Sequence, residues 1–222
     1  MPNEEYDLWP EAQPDTRPWT RWWWPGCAVD KATLSRLLEE YREAGLGGVE
    51  ITSIYGVRGE EHRNIEYLSP DWLEMVQHVV SEAGRFGMGV DLPPGSGWRI
   101  GGPFIDEEMG SMAFLVEKAE TGDGYVAKVV PCAEEVKRAG PGGRGRAFNP
   151  FWRESLRVVE EHFTASFRGL GIRAQFHDSW EYMCSASPDL FERFVEKRGY
   201  DLRDRLAELM GDRGEEVRAR VM

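Results

Sequence analysis

Residues 172–182 bring together side chains that rarely share a protein core. An apolar segment, Ile-Arg-Ala-Gln-Phe, is followed by a polar and aromatic group: His177, Asp178, Trp180 and Glu181. Carboxylates exchange protons and accept hydrogen bonds from hydroxyls, while an indole covers an apolar surface. These groups suit a polar ring such as a sugar. Because sites in α/β proteins gather at the carboxyl ends of strands, we predict a buried strand at 172–177 that carries a site.

Two further carboxylates, Glu50 and Asp91, fall within or at the ends of other predicted strands. Buried carboxylates need partners, and nearby segments supply Arg21, Arg99 and Arg173. Glu50 and Asp91 therefore either contact a ligand or form internal ion pairs.

The loops after these strands add aromatic candidates. Trp98 lies in Gly-Ser-Gly-Trp-Arg, where glycines let the backbone and the indole approach a ligand closely, or simply form an ordinary turn. Tyr55 follows the strand that contains Glu50. Both are predicted to bind the ligand.

Nine tryptophans are an unusual number for 222 residues. Alternation along 19–24 predicts that some of these rings enter a core while others lie at a strand end.

β-rich segments alternate with amphipathic helices along the chain. Asp30 and Ser69 are typical N-caps for the first two helices. The predicted strands are 19–24, 47–54, 87–92 and 172–177, with a hairpin at about 112–131 and further helices at about 151–168 and from Ser187. This order predicts a parallel sheet with right-handed crossovers.

Four βα units amount to half of an eight-stranded barrel. We therefore predict an α/β fold: a partial (β/α) barrel over 19–222, with an inserted hairpin, after an extended lead-in at 1–18. Half a barrel leaves two open strand edges. We expect it to need the missing C-terminal half of the barrel or a self-association partner.

The composition excludes several classes of protein. A net charge of −12 argues against a nucleic-acid surface, and no run approaches the ~20 apolar residues of a membrane span. Three widely spaced cysteines fit neither a zinc site nor a disulfide framework. The first residues lack the features of a signal peptide.

Several motifs together resemble a known family. They are Arg17-Pro-Trp-Thr-Arg-Trp-Trp-Trp-Pro-Gly, Gly47-Gly-Val-Glu-Ile, Tyr67-Leu-Ser-Pro-Asp-Trp, Val90-Asp-Leu-Pro-Pro-Gly-Ser-Gly-Trp, Phe176-His-Asp-Ser-Trp-Glu and Arg198-Gly-Tyr-Asp-Leu. In this order they resemble the α-L-rhamnosidase-type glycoside hydrolases of family 106. The resemblance implies a TIM-like catalytic barrel, inverting hydrolysis of rhamnosides, secretion and a calcium ion near the sugar hydroxyls.

Inverting hydrolysis needs a general acid and a general base. We expect Glu181 to be the acid, with Trp180 and Tyr182 as its apolar surroundings; otherwise it caps a helix or binds an arginine. Asp178 is expected to accept hydrogen bonds from sugar hydroxyls or to bind the ion. His177 either holds the acid or is a core histidine.

The family pattern places the base on a later strand, outside this chain. The chemistry requires no cofactor, although calcium is possible.

Two other functions remain open. Glu50, Asp91, His177, Asp178 and Glu181 are ligand types that suit a divalent ion in a sugar isomerase or aldolase on the same fold. Alternatively, the tryptophans and the acidity suit a carbohydrate-binding fragment that does not cleave.

Overall fold

The structure, a computed structural model, describes residues 11–177, 181–211 and 215. Its strands are β1 (Trp19–Pro25), β2 (Gly48–Ile54), β3 (Gly89–Leu92), β4 (Gly101–Gly102), β5 (Met112–Lys118), β6 (Tyr125–Pro131), β7 (Arg146–Ala147) and β8 (Ala174–Gln175). Its α-helices are α1 (Lys31–Glu43), α2 (Pro70–Arg85), α3 (Arg153–Phe167), α4 (Leu190–Arg198) and α5 (Leu206–Met210). Short 3-10 turns occur at Pro14–Thr16, Glu61–Arg63 and Leu202–Arg205.

The chain divides into two compact units. The first contains the described residues of 11–100, 136–144 and 162–177, and the second contains those of 101–135, 145–161 and 181–215. No helix among the described residues is long and apolar enough to cross a bilayer.

The first unit is built on a four-stranded parallel sheet. Its strand order is β1-β2-β3-β8. The four strands therefore lie side by side in the order in which they occur in the sequence. The prediction of a mixed α/β fold with a parallel sheet is confirmed. The register aligns Arg21 with Glu50 and Glu50 with Asp91, which brings these charged positions to one level of the sheet.

The helices of the first unit begin where the sequence predicts. The Asp30 carboxylate accepts a hydrogen bond from the Thr33 amide at 2.9 Å, and the Ser69 hydroxyl accepts one from the Trp72 amide at 3.2 Å. Both contacts satisfy amides in a first helical turn, which have no partner within the helix.

Alternation along β1 separates its tryptophans as predicted. Trp22 and Trp24 are buried, whereas Trp23 is 41% exposed. Trp22 packs edge-on against Tyr41 of α1, with ring centroids 5.5 Å apart. The Trp72 indole of α2 donates a hydrogen bond to the Ser53 hydroxyl at 3.0 Å. One face of the sheet therefore packs against α1 and α2, and the opposite face carries the remaining side chains.

The fourth strand corrects one expectation. A buried strand was predicted at 172–177, but β8 contains two residues, and both are exposed. Its pairs are Asp91 with Ala174 and Leu92 with Gln175. Among the described strands, β8 pairs with β3 alone. An edge strand of this length has solvent on its other side, which is why it is not buried.

The second unit contains the predicted hairpin, formed by β5 and β6 in antiparallel register from Met112↔Pro131 to Lys118↔Tyr125. Its core is a cluster of buried residues on the C-terminal helices: Phe194, Leu202, Leu206 and Leu209. Phe114, Val116, Tyr125 and Ala127 of the hairpin pack against this cluster. Successive side chains of a strand point to opposite sides, so the intervening Leu115 and Val126 face away from the cluster and are exposed.

The helix predicted from Ser187 begins later, at Leu190. Its N-cap position is Asp189, whose side chain makes no capping hydrogen bond, and the Leu190 amide donates to the Ser187 carbonyl at 3.2 Å in a turn before the helix.

Candidate active site

Two ion pairs lie on the sheet face opposite the helices. The Arg21 guanidinium contacts Glu50, with Nε and Oε1 3.2 Å apart, and the Thr52 hydroxyl donates to the same oxygen at 3.0 Å. The Arg173 guanidinium donates two hydrogen bonds to the Asp91 carboxylate, from Nε to Oδ1 at 3.1 Å and from Nη2 to Oδ2 at 2.6 Å. The side chains of Glu50 and Asp91 are only 14% and 13% exposed. These carboxylates therefore form the ion pairs for which the sequence offered partners.

A row of rings and guanidinium groups lies towards the carboxyl ends of the strands. We call it the aromatic–arginine row, and its members in spatial order are Phe176, Arg21, Trp23, Trp98, Arg138 and Tyr55.

The distances along the row show continuous contact. The Arg21 guanidinium carbon is 4.4 Å from the Phe176 ring centroid and 5.3 Å from that of Trp23. Trp23 and Trp98 stack with centroids 5.7 Å apart and planes 23° from parallel. Arg138 continues the row at 5.4 Å from Trp98 and 5.9 Å from Tyr55. Cation–π contacts of this kind stabilise by about 0.5–1 kcal/mol each when exposed.

The row offers exposed ring surface. Trp23, Tyr55 and Phe176 are 41%, 49% and 37% exposed, although each is large and apolar. Aromatic surface held in this way next to hydrogen-bonding groups is typical of ligand sites.

The loop after β3 holds Trp98 in the row. The Gly97 amide donates to the Ser53 carbonyl at 2.8 Å, and Trp98 pairs with Lys137 through two backbone hydrogen bonds of 2.8 and 3.0 Å. Gly97 has φ +72°, and a Cβ there would come within 2.2 Å of the Lys137 carbonyl oxygen. Only glycine fits this approach.

Two polar side chains, those of Tyr67 and Cys27, contact the loop after β3 and strand β2. The Tyr67 hydroxyl accepts a hydrogen bond from the Gly95 amide at 3.2 Å, and burial raises the pKa of the Tyr67 phenol. Burial also raises the pKa of the Cys27 thiol to about 11, although contacts with Ser53 and Trp72 oppose the shift. Neither group is charged at neutral pH, so both act as packing and hydrogen-bonding groups.

At the amino ends of the strands, the Trp19 ring covers the same face. A Cβ on Gly48 would come within 2.4 Å of this ring, and one on Gly89 within 2.5 Å. The Arg173 guanidinium lies 4.1 Å from the Trp19 ring centroid. The indole therefore lies over two glycines that begin β2 and β3.

The other predicted site residues lie in different places. His177 is exposed and follows β8 in the first unit, whereas Glu181 is exposed and belongs to the second unit. Asp178 and Trp180 lie outside the described residues.

The segment after Glu181 is well anchored within the second unit. The Met183 amide donates to Glu134 Oε1 at 2.8 Å, and the Tyr182 ring packs edge-on against Phe148 with centroids 5.5 Å apart. Tyr182 was expected to provide apolar surroundings for Glu181; its ring contact is with Phe148. The predicted role of Glu181 as the acid stays a prediction.

Sequence reasoning missed several members of the row. Alternation in β1 was the signal that could have identified Trp23, and the position after β8 was the signal for Phe176. Arg138 lies in the glycine-rich segment 138–146, and no local pattern marks it.

Within the described ranges, no three His, Cys, Asp or Glu side chains are grouped so that they could hold a metal ion. Glu50 and Asp91 are each engaged by an arginine instead.

The sheet and the row define an α/β domain of the class that presents its site at the carboxyl ends of parallel strands. A family model described as alpha-L-rhamnosidase, that of glycoside hydrolase family 106, matches residues 11–130, which is more than half of the chain. The chain belongs to this family.

Among solved structures, the chain is similar to a rhamnosidase from Novosphingobium sp. PP1Y. The identity is 20% and the TM-score 0.41, and the match covers 48% of this chain and 10% of that chain. The chain thus spans a small part of that enzyme's length. A search of curated proteins found no match.

Proposed function

We propose that this chain forms part of the catalytic domain of a glycoside hydrolase that cleaves α-L-rhamnosides with inversion. The aromatic–arginine row carries the proposal, because it presents exposed rings at the carboxyl ends of the strands in a chain that belongs to a rhamnosidase family. In this proposal the rings of Trp98 and Tyr55 cover the apolar face of the sugar.

The ion-paired carboxylates lie on the same sheet face as the row. Glu50 and Asp91 keep oxygen lone pairs beyond those used by their arginines, because a carboxylate offers about four acceptor positions. We propose that these positions accept hydrogen bonds from sugar hydroxyls, while the arginines hold both carboxylates in a fixed orientation.

Glu181 is the proposed general acid. It transfers its proton to the glycosidic oxygen as the bond from that oxygen to the anomeric carbon breaks. A water molecule attacks the anomeric carbon from the opposite face, and its proton passes to a base carboxylate. Such a pair of carboxyl groups lies roughly 6.5–9.5 Å apart in inverting enzymes. We propose that a strand beyond this chain supplies the base, and that His177, Asp178 and Trp180 line the site beside the acid.

We further propose that the four-stranded sheet is one part of a (β/α) barrel. On the sheet face opposite the helices, the register places Arg21, Glu50 and Asp91 at one level. This arrangement supports the proposal, since the strands of such barrels fill the interior with layers of side chains. A calcium ion that assisted the enzyme would need donors other than a cluster of the described acidic side chains.

Hydrolysis provides the first test. We expect the purified chain to release little or no 4-nitrophenol from 4-nitrophenyl α-L-rhamnoside, because the proposed base belongs to a strand outside it. Robust turnover would contradict this assignment.

In a longer protein that contains this chain and its base, Glu181→Gln should abolish turnover with folding retained, and a near-normal rate would remove Glu181 from the acid role.

Binding provides the second test, which needs no turnover. We expect L-rhamnose to change the tryptophan fluorescence of the chain, and Trp98→Ala to weaken its binding by about tenfold, a loss of about 1.4 kcal/mol in ring contact. Phe86→Ala is the matched control, because Phe86 also lies near two arginines, Arg42 at 5.7 Å and Arg85 at 5.9 Å, but follows the end of α2. Equal effects of the two variants would remove the row from the site.

The same binding experiment addresses the non-catalytic alternative. If a longer protein containing the base binds L-rhamnose but does not cleave the rhamnoside, the chain is a carbohydrate-binding fragment. No observation on the described residues favours a metal-dependent isomerase or aldolase.

A further inference from the structure

The second unit contains a cleft of about 770 Å³ that the proposed reaction does not use. Its volume is within the range of small-molecule sites, roughly 300–1,000 Å³. Its floor is buried and includes Ala186, Ser187 and Phe194. Its rim is formed by two aromatic and four cationic side chains: Phe151, Trp152, Arg153, Arg193, Lys197 and Arg198.

The charge of this cleft is opposite to that of the chain. Its lining has four cationic side chains and one acidic side chain, Asp189, whereas the whole chain carries a net charge of −12. Asp189 accepts a hydrogen bond from Arg193 Nε at 3.1 Å, so the positive charge on which the inference depends comes from Arg153 and Lys197. A concave surface lined by one sign of charge concentrates its field and attracts ions of the opposite sign.

Helix electrostatics explain only part of this cluster. Lys197 and Arg198 lie in the last turn of α4, where a helix dipole favours cations. Arg153 is the first residue of α3, where the dipole disfavours a cation. The position of Arg153 therefore costs helix stability, which points to a use for its charge in the cleft.

A buried amide holds two sides of the cleft together. Asn149, which is 0% exposed, donates from Nδ2 to the Ala186 carbonyl at 2.9 Å and accepts from the Phe151 amide at 3.0 Å. This arrangement ties the segment that carries the rings to the floor of the cleft. Phe151 is nevertheless 57% exposed, which leaves its ring available for contact.

We propose that the cleft binds an acidic oligosaccharide, with the carboxylate of a uronic acid residue held by Arg153 and Lys197 and a sugar face lying on Phe151 or Trp152. Guanidinium groups bind carboxylates through paired hydrogen bonds, which selects an anionic group over a hydroxyl. The inference that the ligand is a carbohydrate rests on the proposed function. The inference that the ligand is negatively charged rests only on the cationic side chains of the cleft. The acidity of the remaining chain disfavours a long nucleic acid.

Calorimetric titration with tetragalacturonic acid tests the proposal, and its fully methyl-esterified form is the neutral control. We expect the acid to bind at least tenfold more tightly than the ester, since charged hydrogen bonds are worth about twice neutral ones. Raising the ionic strength should weaken binding of the acid and leave the ester unchanged. Equal affinities, or no binding of the acid, would overturn the proposal.

Variants then locate the site. Arg153→Gln and Lys197→Gln should each weaken binding of tetragalacturonic acid by about tenfold, the loss of one charged hydrogen bond. Arg157→Gln is the matched control on α3, because Arg157 does not line the cleft and pairs with Glu154 at 3.3 Å. Equal losses in all three variants would overturn the assignment to the cleft.

Two further arms separate the possible explanations. Tighter binding of a single-stranded oligonucleotide of equal charge than of tetragalacturonic acid would overturn the choice of a carbohydrate. Displacement of tetragalacturonic acid by an equal molar concentration of inorganic sulfate would overturn it as well. Trp98→Ala should leave this binding unchanged, since Trp98 is in the aromatic–arginine row. Failure at the cleft and failure of the proposed rhamnose site are therefore distinguishable.

Discussion

At the scale of single residues, Cys27 shows how burial controls chemistry. Its thiol is fully buried, and its pKa is raised to about 11 from 9.0. At pH 8 the thiolate fraction is thus on the order of one in a thousand. We expect at most one thiol, that of the partly buried Cys132, to react with Ellman's reagent in the folded chain. All three thiols should react in urea. Rapid labelling of Cys27 under native conditions would contradict the burial.

The same group predicts a change of stability with pH. Because the pKa of Cys27 is higher in the folded state, the folded state binds the proton more tightly, and below about pH 9 the group has no effect on the slope. As pH rises from 9 to 11, the free energy of unfolding should fall, by about 2–3 kcal/mol in total. Cys27→Ala should remove this part of the slope, as measured by urea unfolding at each pH. Cys132→Ala should remove less of the slope, because the Cys132 thiol is less buried than that of Cys27.

Arg173 and Asp91 predict unequal effects of two substitutions. The Asp91 side chain is 13% exposed and that of Arg173 is 51% exposed. Arg173→Gln leaves a largely buried carboxylate unpaired and should cost about 2 kcal/mol in urea unfolding, whereas Asp91→Asn leaves a solvated guanidinium and should cost about 1 kcal/mol. Lys128→Gln, in a surface pair with Glu117 at 47% and 57% exposure, is the control and should cost less than 1 kcal/mol. The reverse order of the first two variants would contradict this reasoning.

At the scale of elements, the start of α2 depends on one hydroxyl. Ser69 accepts from the Trp72 amide at 3.2 Å, and Pro70 follows at the first helical position. Ser69→Ala should lower the free energy of unfolding by about 1 kcal/mol. Ser81→Ala, at an exposed position inside the same helix, should have no effect or stabilise slightly, since alanine has the higher helix propensity. Similar urea midpoints for both variants would show that the cap contributes nothing.

The elements that the sequence predicts well are those specified by local patterns. Asp30 and Ser69 act as caps, and the strands between the helices form in the predicted order. Two predicted boundaries were wrong, one because of a distant strand pairing and one because of a local turn. The strand predicted at 172–177 is short because pairing with β3 extends over two residues only. The helix predicted from Ser187 begins at Leu190, because the Ser187 carbonyl closes a turn before it.

At the scale of the whole molecule, the edges of the sheet predict association. β1 and β8 are the outer strands of the described sheet, and the exposed residues of β8 leave backbone groups in solvent. We expect sedimentation velocity to show concentration-dependent self-association of the purified chain. Ala174→Lys should reduce it, because a charge on an edge strand opposes pairing. Ala32→Lys, an exposed change of the same charge in α1, should not. A chain that stays monomeric at all concentrations would contradict this expectation.

The site was less predictable than the fold, because its members come together only through tertiary structure. The partners of Glu50 and Asp91 were among those expected from the sequence, since a buried carboxylate requires a cation. The row could not be assembled in the same way. Trp23 and Trp98 lie 75 positions apart in the chain, and Arg138 reaches them through a segment without a regular pattern. Stacking across such separations depends on the register of the sheet and on loop geometry, which short motifs do not encode.

The indole of Trp19, which lies over Gly48 and Gly89, also determines the direction from which a solute can reach this sheet face. Two absent side chains thus make room for the indole, and an alanine at either position would push the ring off the sheet.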